Sequence, residues 1–203
     1  CGIGAESLSM AAAGIYVAAF EIDEVTAALA TYNLLPFDNA RVEMADVTQL
    51  DLGKFEALFF DPARRELTGA ARAQAVRKFD PSTFSPNFDW VVEQCEAPHL
   101  KAAGIKLGPG HPHEGIPDSA EAQWVSVNGD LVELGLWFGA AARPGIKRSA
   151  LLLETSIDGT TVKHELTSDS IAMTYAPLGE LAEYVFEPDN AVVRSHLIHL
   201  LAE

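Results

Sequence analysis

Gly2-Ile-Gly4-Ala-Glu6, followed by Ile15-Tyr-Val-Ala-Ala-Phe20-Glu21, is the stretch on which the fold turns. In an open α/β sheet the ligand sits where strands end and turn sharply into helices. Glycine lets the backbone come close to a ligand and take φ > 0 without a Cβ clash. Gly2 and Gly4 suit such a turn, and the Ala-rich run after Glu6 reads as a short helix stopped by Gly14. The apolar run 15–20, bounded by glycine and by acid, reads as a buried strand. It ends in Glu21-Ile22-Asp23. A carboxylate there can accept hydrogen bonds from both hydroxyls of a ribose. Asp23 is equally suited to cap a helix over 24–33. A glycine pair alone is a weak motif, because an ordinary turn at a helix start has the same composition.

The series continues. Residues 40–45 read as a third strand followed by Asp46-Val47. Residues 55–60 read as a fourth, followed by Asp61-Pro62-Ala63-Arg64-Arg65. One acid after a strand means little, but three at the same topological edge point to one ligand site. Downstream, the apolar runs 122–127 and 131–138 flank Asn128-Gly129. Both turn residues tolerate φ > 0, so this reads as a β-hairpin.

Gly2-x-Gly4, Glu21, Ala45-Asp46-Val47 and Asp61-Pro62-Ala63-Arg64 together resemble class I S-adenosylmethionine-dependent methyltransferases. The resemblance implies a Rossmann-like α/β sheet ending in an antiparallel hairpin, which the Asn128-Gly129 turn matches. It implies that Cys1, Gly2 and Gly4 border the methionine end of the cofactor S-adenosyl-L-methionine. Glu21, with Ile22 beside it, would hold the ribose, and Asp46 and Val47 would flank the adenine. Asp61 and Pro62 would stand where related enzymes carry a catalytic Asp/Asn-Pro-Pro motif. This chain departs from that pattern in having Asp-Pro-Ala-Arg. The resemblance narrows to a bacterial group with an Asp-Pro-Ala-Arg-Arg motif, here with Phe79-Asp80-Pro81 and Ser85-Pro86 downstream, and a C-terminal THUMP-like domain. It implies a methyltransferase domain over 1–142, a small α+β domain over 146–203, and an RNA base as acceptor. It also implies that the first strand of the sheet, the middle one, is missing before Cys1. A chain with that gap is expected to bind cofactor poorly.

Composition fits such a protein. The chain has 203 residues and 48% apolar content, enough for one well-cored domain and a small second one. No apolar run is long enough to span a membrane. Cys1 and Cys95 form no disulfide framework, which fits a cytoplasmic protein. Cys95 closes an amphipathic helix over 88–95, where it reads as core filler.

The net charge of −15 argues against broad nucleic-acid binding. Yet Arg64, Arg65, Arg72, Arg77 and Lys78 gather directly after the Asp61 loop, with Glu66 as the only acid among them. The patch at 64–78 suits an RNA phosphate backbone, or a solvated helix face. Arg64 and Arg65 are the substrate candidates, since a guanidinium fork beside a reactive loop suits a phosphate or carboxylate. Lys106, in a fifth strand over 104–107, is a third.

Beyond a linker over 140–145, residues 149–154, 157–160 and 161–166 read as short strands with Asp158-Gly159 as a turn. Pro188-Asp189-Asn190 caps a last helix over 191–202, with Val193, Leu197, Leu200 and Leu201 inward. Segment 149–203 holds two bases and nine acids, a poor match to a phosphate polymer. His111-Pro-His113 reads as loop rather than metal cluster, because Pro112 prevents helical placement and no third spaced ligand follows. Substrate contact is its functional reading. His196 and His199 read as a surface pair on the last helix.

The expected chemistry is direct methyl transfer, with Asp61 accepting a hydrogen bond or proton from the acceptor. Two rivals stand beside it. One is a degenerate, non-catalytic interaction module. The other is a dinucleotide-dependent oxidoreductase, which explains Gly2, Gly4 and Glu21 but neither the hairpin nor Asp61-Pro62.

Overall fold

A computed structural model describes residues 1–64, 84–180 and 183–201. Packing divides the chain into two units, Cys1–Lys54 and Phe55–Glu203.

In the first unit, Gly4 at φ 88° starts helix α1 (Ala5–Ala12), and Gly14 at φ 83° follows its end. Both angles lie in the left-handed region that glycine enters without penalty. Strand β1 (Val17–Glu21) includes the acid expected after it. Helix α2 (Glu24–Leu34) begins at Asp23, whose Oδ1 accepts from the Thr26 N–H at 2.8 Å and the Thr26 hydroxyl at 2.7 Å. Strand β2 (Ala40–Met44) pairs in parallel with β1, with Glu21 opposite Met44. The core here is built from small side chains, Ala11, Ala19, Ala27 and Ala30, closed by Leu34.

The second unit opens with β3 (Ala57–Phe60) and a short pair, β4 (Ala63–Arg64) against β5 (Phe84–Ser85). Helix α3 (Phe88–Cys95) follows, its first turn capped by Asn87. Then come β6 (Ala102–Leu107), β7 (Glu121–Val127), β8 (Asp130–Gly139), β9 (Arg148–Thr155), β10 (Thr161–Ser168) and α4 (Asn190–Arg194). Six strands form one sheet in the order β10-β9-β7-β8-β6-β3. β3 and β6 are parallel, β8 is antiparallel to both neighbours, β9 is parallel to β7, and β10 folds back on β9. Asn128 and Gly129 make the expected hairpin turn at φ 51° and 84°, angles that match strand twist. The 140–147 connection joins β8 to β9, and the sheet is continuous across it.

Alternate residues of the sheet supply the core. Ile105, Trp124, Leu134, Leu136 and Ala150 are fully buried, as are Val91 of α3 and Ala191 of α4. Each large apolar side chain so buried contributes about 1.5–3 kcal/mol. Cys95 is part of this core, and burial pushes its thiol up to about 12, so it is filler as expected. Two other expectations fail. Residues 157–160 are the turn itself, with Ile157 fully exposed and Asp158 accepting from the Thr160 N–H. The last helix stops at Arg194, because His196 takes φ 62°, and a 3-10 turn over Ile198–Leu201 follows. Leu197 is therefore buried, whereas Val193 and Leu201 are exposed. Among the described residues no helix is long and apolar enough to cross a membrane.

Candidate functional site

In the first unit, every residue expected at a cofactor lies at the carboxyl ends of β1 and β2 or at the N-terminus of α1. Glu21 is the organiser. Its Oε2 accepts from the Gly2 N–H at 2.8 Å and the Cys1 amino group at 2.9 Å. Its Oε1 accepts from the Ile22 N–H at 3.0 Å and the Asp23 N–H at 3.2 Å. Burial pushes the Glu21 carboxyl up, but hydrogen bonds from the Cys1 amino group, Asp23 and Gly2 outweigh it and hold the pKa low. The residue read as a ribose acceptor thus already fastens the glycine turn to the strand end.

The parallel register carries this edge onward. The Ala45 N–H donates to the Glu21 carbonyl at 2.9 Å, which sets Asp46 beside it. Asp46 Oδ1 accepts from the Thr48 hydroxyl at 2.7 Å and its N–H at 3.0 Å, and these bonds lower its pKa. Asp46 thereby caps the 3-10 turn Val47–Gln49. Val47 is half-buried, and Ile22 is exposed at the strand end.

In the second unit, Asp61 follows β3, and Lys106 sits near the end of its parallel neighbour β6. Asp61 Oδ2 and Lys106 Nζ are 2.8 Å apart. They line a cavity of about 400 Å³ with Pro62, Phe84, Val132 and Glu133. Pro62 is buried and Asp61 exposed, so the ring anchors the loop while the carboxylate faces outward. Arg64 ends β4, paired with Phe84. Arg65 and the rest of the basic patch through Lys78 lie outside the described residues.

Glu133 was not anticipated. It lies two residues from Gly135, the partner of Lys106 in the β6–β8 ladder, and so shares its face. The sign was there: a single acid in the apolar run Leu131-Val-Glu-Leu-Gly-Leu. The histidine loop is a correction. His111 is fully buried, its ring 4.9 Å from that of Phe88. His113 stacks between Trp124 at 5.1 Å and His196 at 4.0 Å. His111 therefore offers no surface to substrate, His113 is half-buried, and His196 is not part of a surface pair.

No protein-family model matches the chain. It is 25% identical over 202 residues to two uncharacterised S-adenosylmethionine-dependent methyltransferases of Mycobacterium tuberculosis, from strains CDC 1551 / Oshkosh and ATCC 25618 / H37Rv. Each alignment covers 98% of this chain and 51% of the relative, so the chain spans about half the length of these curated relatives. A crystal structure described as a "putative methyltransferase" from Porphyromonas gingivalis W83 superposes with a TM-score of 0.62 and 18% identity. It is matched over 88% of this chain and 45% of its own. This structural likeness establishes the fold, the Rossmann-like α/β arrangement of methyltransferases with a mixed sheet.

Proposed function

We propose that the chain carries the cofactor and acceptor sites of an S-adenosylmethionine-dependent methyltransferase whose acceptor is an RNA base. One observation carries the reading: the Gly2 turn is bonded to Glu21 at in-register strand ends, with Asp46 next along the same edge. That edge is where open α/β sheets bind nucleoside ligands. The names of the Mycobacterium relatives support the choice of cofactor.

The residues fit the group. A Cβ at Gly2 would meet nothing within 4 Å, so the turn has open space for a ligand to approach its backbone. Glu21 is a carboxylate held ionised, as a diol acceptor must be, although its oxygens already take four N–H bonds. Ribose hydroxyls would take over some of those acceptor positions. The bound sulfonium supplies an activated methyl group, so the protein has chiefly to align the acceptor and exclude water.

Asp61 would accept a hydrogen bond or proton from the acceptor nitrogen or oxygen, with Lys106 steadying the carboxylate. Pro62 and Phe84 would give the base an apolar wall. The cavity of about 400 Å³ lies within the range of small-molecule sites and admits a single unstacked base. The choice of RNA rests on the basic run from Arg64 to Lys78, which suits phosphates flanking that base. Segment 146–203 is proposed as the THUMP-like part, one whose acidity suits packing or protein contact better than RNA.

The test pairs binding with turnover. Asp61→Ala should lower methyl transfer to RNA at least about 100-fold, the usual worth of a positioned acid–base group, and leave calorimetric binding of S-adenosylmethionine unchanged. Unchanged transfer rates would remove Asp61 from the mechanism. Binding of nicotinamide dinucleotide in place of S-adenosylmethionine would reassign the chain to the oxidoreductase reading.

A further inference from the structure

Around the start of β9, three cations have no carboxylate partner among the described residues. Arg148 donates from Nη1 to His196 Nδ1 at 3.2 Å. Lys147 donates from Nζ to the Asp118 carbonyl. Arg194 donates to the carbonyls of Pro109 at 3.1 Å and His111 at 2.9 Å. In a chain of net charge −15, cations left to neutral partners call for a reason. A guanidinium has five N–H donors and an ammonium three, so Arg148 and Lys147 both keep donors in reserve.

The neighbouring imidazoles do not neutralise them. Burial lowers the pKa of His113 to about 4, helped by His196, Arg194 and Arg148. Burial and the two arginines lower His196 as well, against a contrary pull from Glu114. Both rings are therefore neutral near pH 7, and neither His113 nitrogen finds a partner of good hydrogen-bond geometry. His196 reaches this stack only by taking φ 62°, which costs about 1–2 kcal/mol in a residue with a Cβ. Backbone strain of this kind concentrates at ligand-holding positions.

A cleft of about 90 Å³ opens beside these groups. His113, Asp118, Lys147 and Arg148 line it with the apolar side chains of Ile116 and Ile171. Its walls are fixed by backbone. The Ala122 N–H donates to the Lys147 carbonyl at 2.9 Å, and the Lys147 N–H donates to Ser168 at 2.8 Å. Arg148 lies opposite Ala122 in the β7–β9 ladder. Two cations face one carboxylate, Asp118, so the lining carries net positive charge.

We propose that this cleft binds a single, free phosphate-type oxyanion, held by Lys147 and Arg148 with His113 beside it. A doubly charged tetrahedral anion matches two separate cations with unused donors, and an Arg fork is suited to such oxygens. The nine acids of 149–203 repel a phosphate polymer, which singles out a small anion. The site is independent of the methyl-transfer reading.

The experiment is titration of the chain with inorganic phosphate, followed by calorimetry and by amide chemical shifts. Saturable binding is expected with Kd about 1 mM, a few kcal/mol of binding energy. Arg148→Gln and Lys147→Gln should each weaken it about tenfold or more, the worth of one charge-assisted hydrogen bond. Lys147→Gln alters only the partly exposed end of a side chain, so it tests the site even where Arg148→Gln disturbs the fold. Absence of saturable binding, or binding by both variants as tight as that of the unsubstituted chain, overturns the proposal. A mixed-sequence single-stranded oligonucleotide should fail to displace phosphate. Displacement would assign the cleft to a polymer's phosphates and overturn the free-anion assignment.

Discussion

Arg143 and Arg148 stand five residues apart at the entry to the C-terminal strands, and their surroundings are opposite. Arg143 is clasped by carboxylates. Its backbone N–H donates to Glu121 Oε2 at 2.8 Å, its Nε to Glu121 Oε1 at 3.0 Å, and its Nη1 pairs with Glu165 at 2.8 Å. Hydrogen bonding to Glu121 raises its pKa, partly opposed by burial. Among the described residues Arg148 bonds to a neutral imidazole and to no carboxylate, and burial lowers its pKa. A cation whose charge is matched inside the fold is committed to holding that fold. One left with neutral neighbours keeps its field and its donors for something else.

The comparison can be broken by mutation. The largest effect should come from Arg143→Ala, which leaves the Glu121 carboxylate, 1% exposed, without its partner. Breaking a buried pair costs about 3–5 kcal/mol, and the lower end, about 3 kcal/mol, applies here because Arg143 is partly exposed. A urea midpoint reads this directly. Glu121→Gln added to Arg143→Ala should recover part of the loss, and no recovery would mean that packing, not charge, carries it.

A smaller effect should appear with pH. His113 is neutral in the fold down to about 4, against 6.5 when unfolded. Between those values the unfolded chain binds a proton that the native one refuses, so stability should fall as pH drops from about 6.5 towards about 4. His111 and His196, also lowered mainly by burial, act in the same direction. Carboxylates titrate at the lower end of this window, so the diagnostic is a difference: His113→Phe keeps a flat ring between Trp124 and His196 and should flatten the slope of urea midpoint against pH. An unaltered slope would exclude His113 as its source. The smallest effect should be that of Arg148→Gln on stability without phosphate, about 1 kcal/mol or less, the worth of one ordinary hydrogen bond. A loss as large as that of Arg143→Ala would show Arg148 to be structural too.

Much of this architecture was readable in the residues. Short strand-like runs followed by an acid gave β1, β2 and β3, Asp23 announced the start of α2, and Asn128-Gly129 required a hairpin. These elements rest on local chemistry: glycine angles, caps and alternation. What was hidden depends on partners distant in sequence. Nothing near His196 marks it as the residue that ends α4, because its left-handed backbone is compensated by contacts with His113 and Arg148. His111 lies in a run of glycine and proline that suggests an exposed loop, yet Phe88 and the carbonyl contacts of Arg194 bury it. The candidate site divides in the same way. Glu21, Asp46 and Asp61 could be named from their places after strands, whereas Glu133 becomes visible only when β8 is laid beside β6.

The bond from the Gly2 N–H to Glu21 has a thermodynamic consequence. A ligand hydroxyl that binds Oε2 competes with the backbone group that orders the turn, so occupancy and loop conformation belong to a single linked equilibrium. Affinity measured at this carboxylate is then a net quantity, the gain from the new bond less the work of loosening the old one. Substituting Glu21 would change both parts at once, and a weakened ligand could not be read as one lost contact.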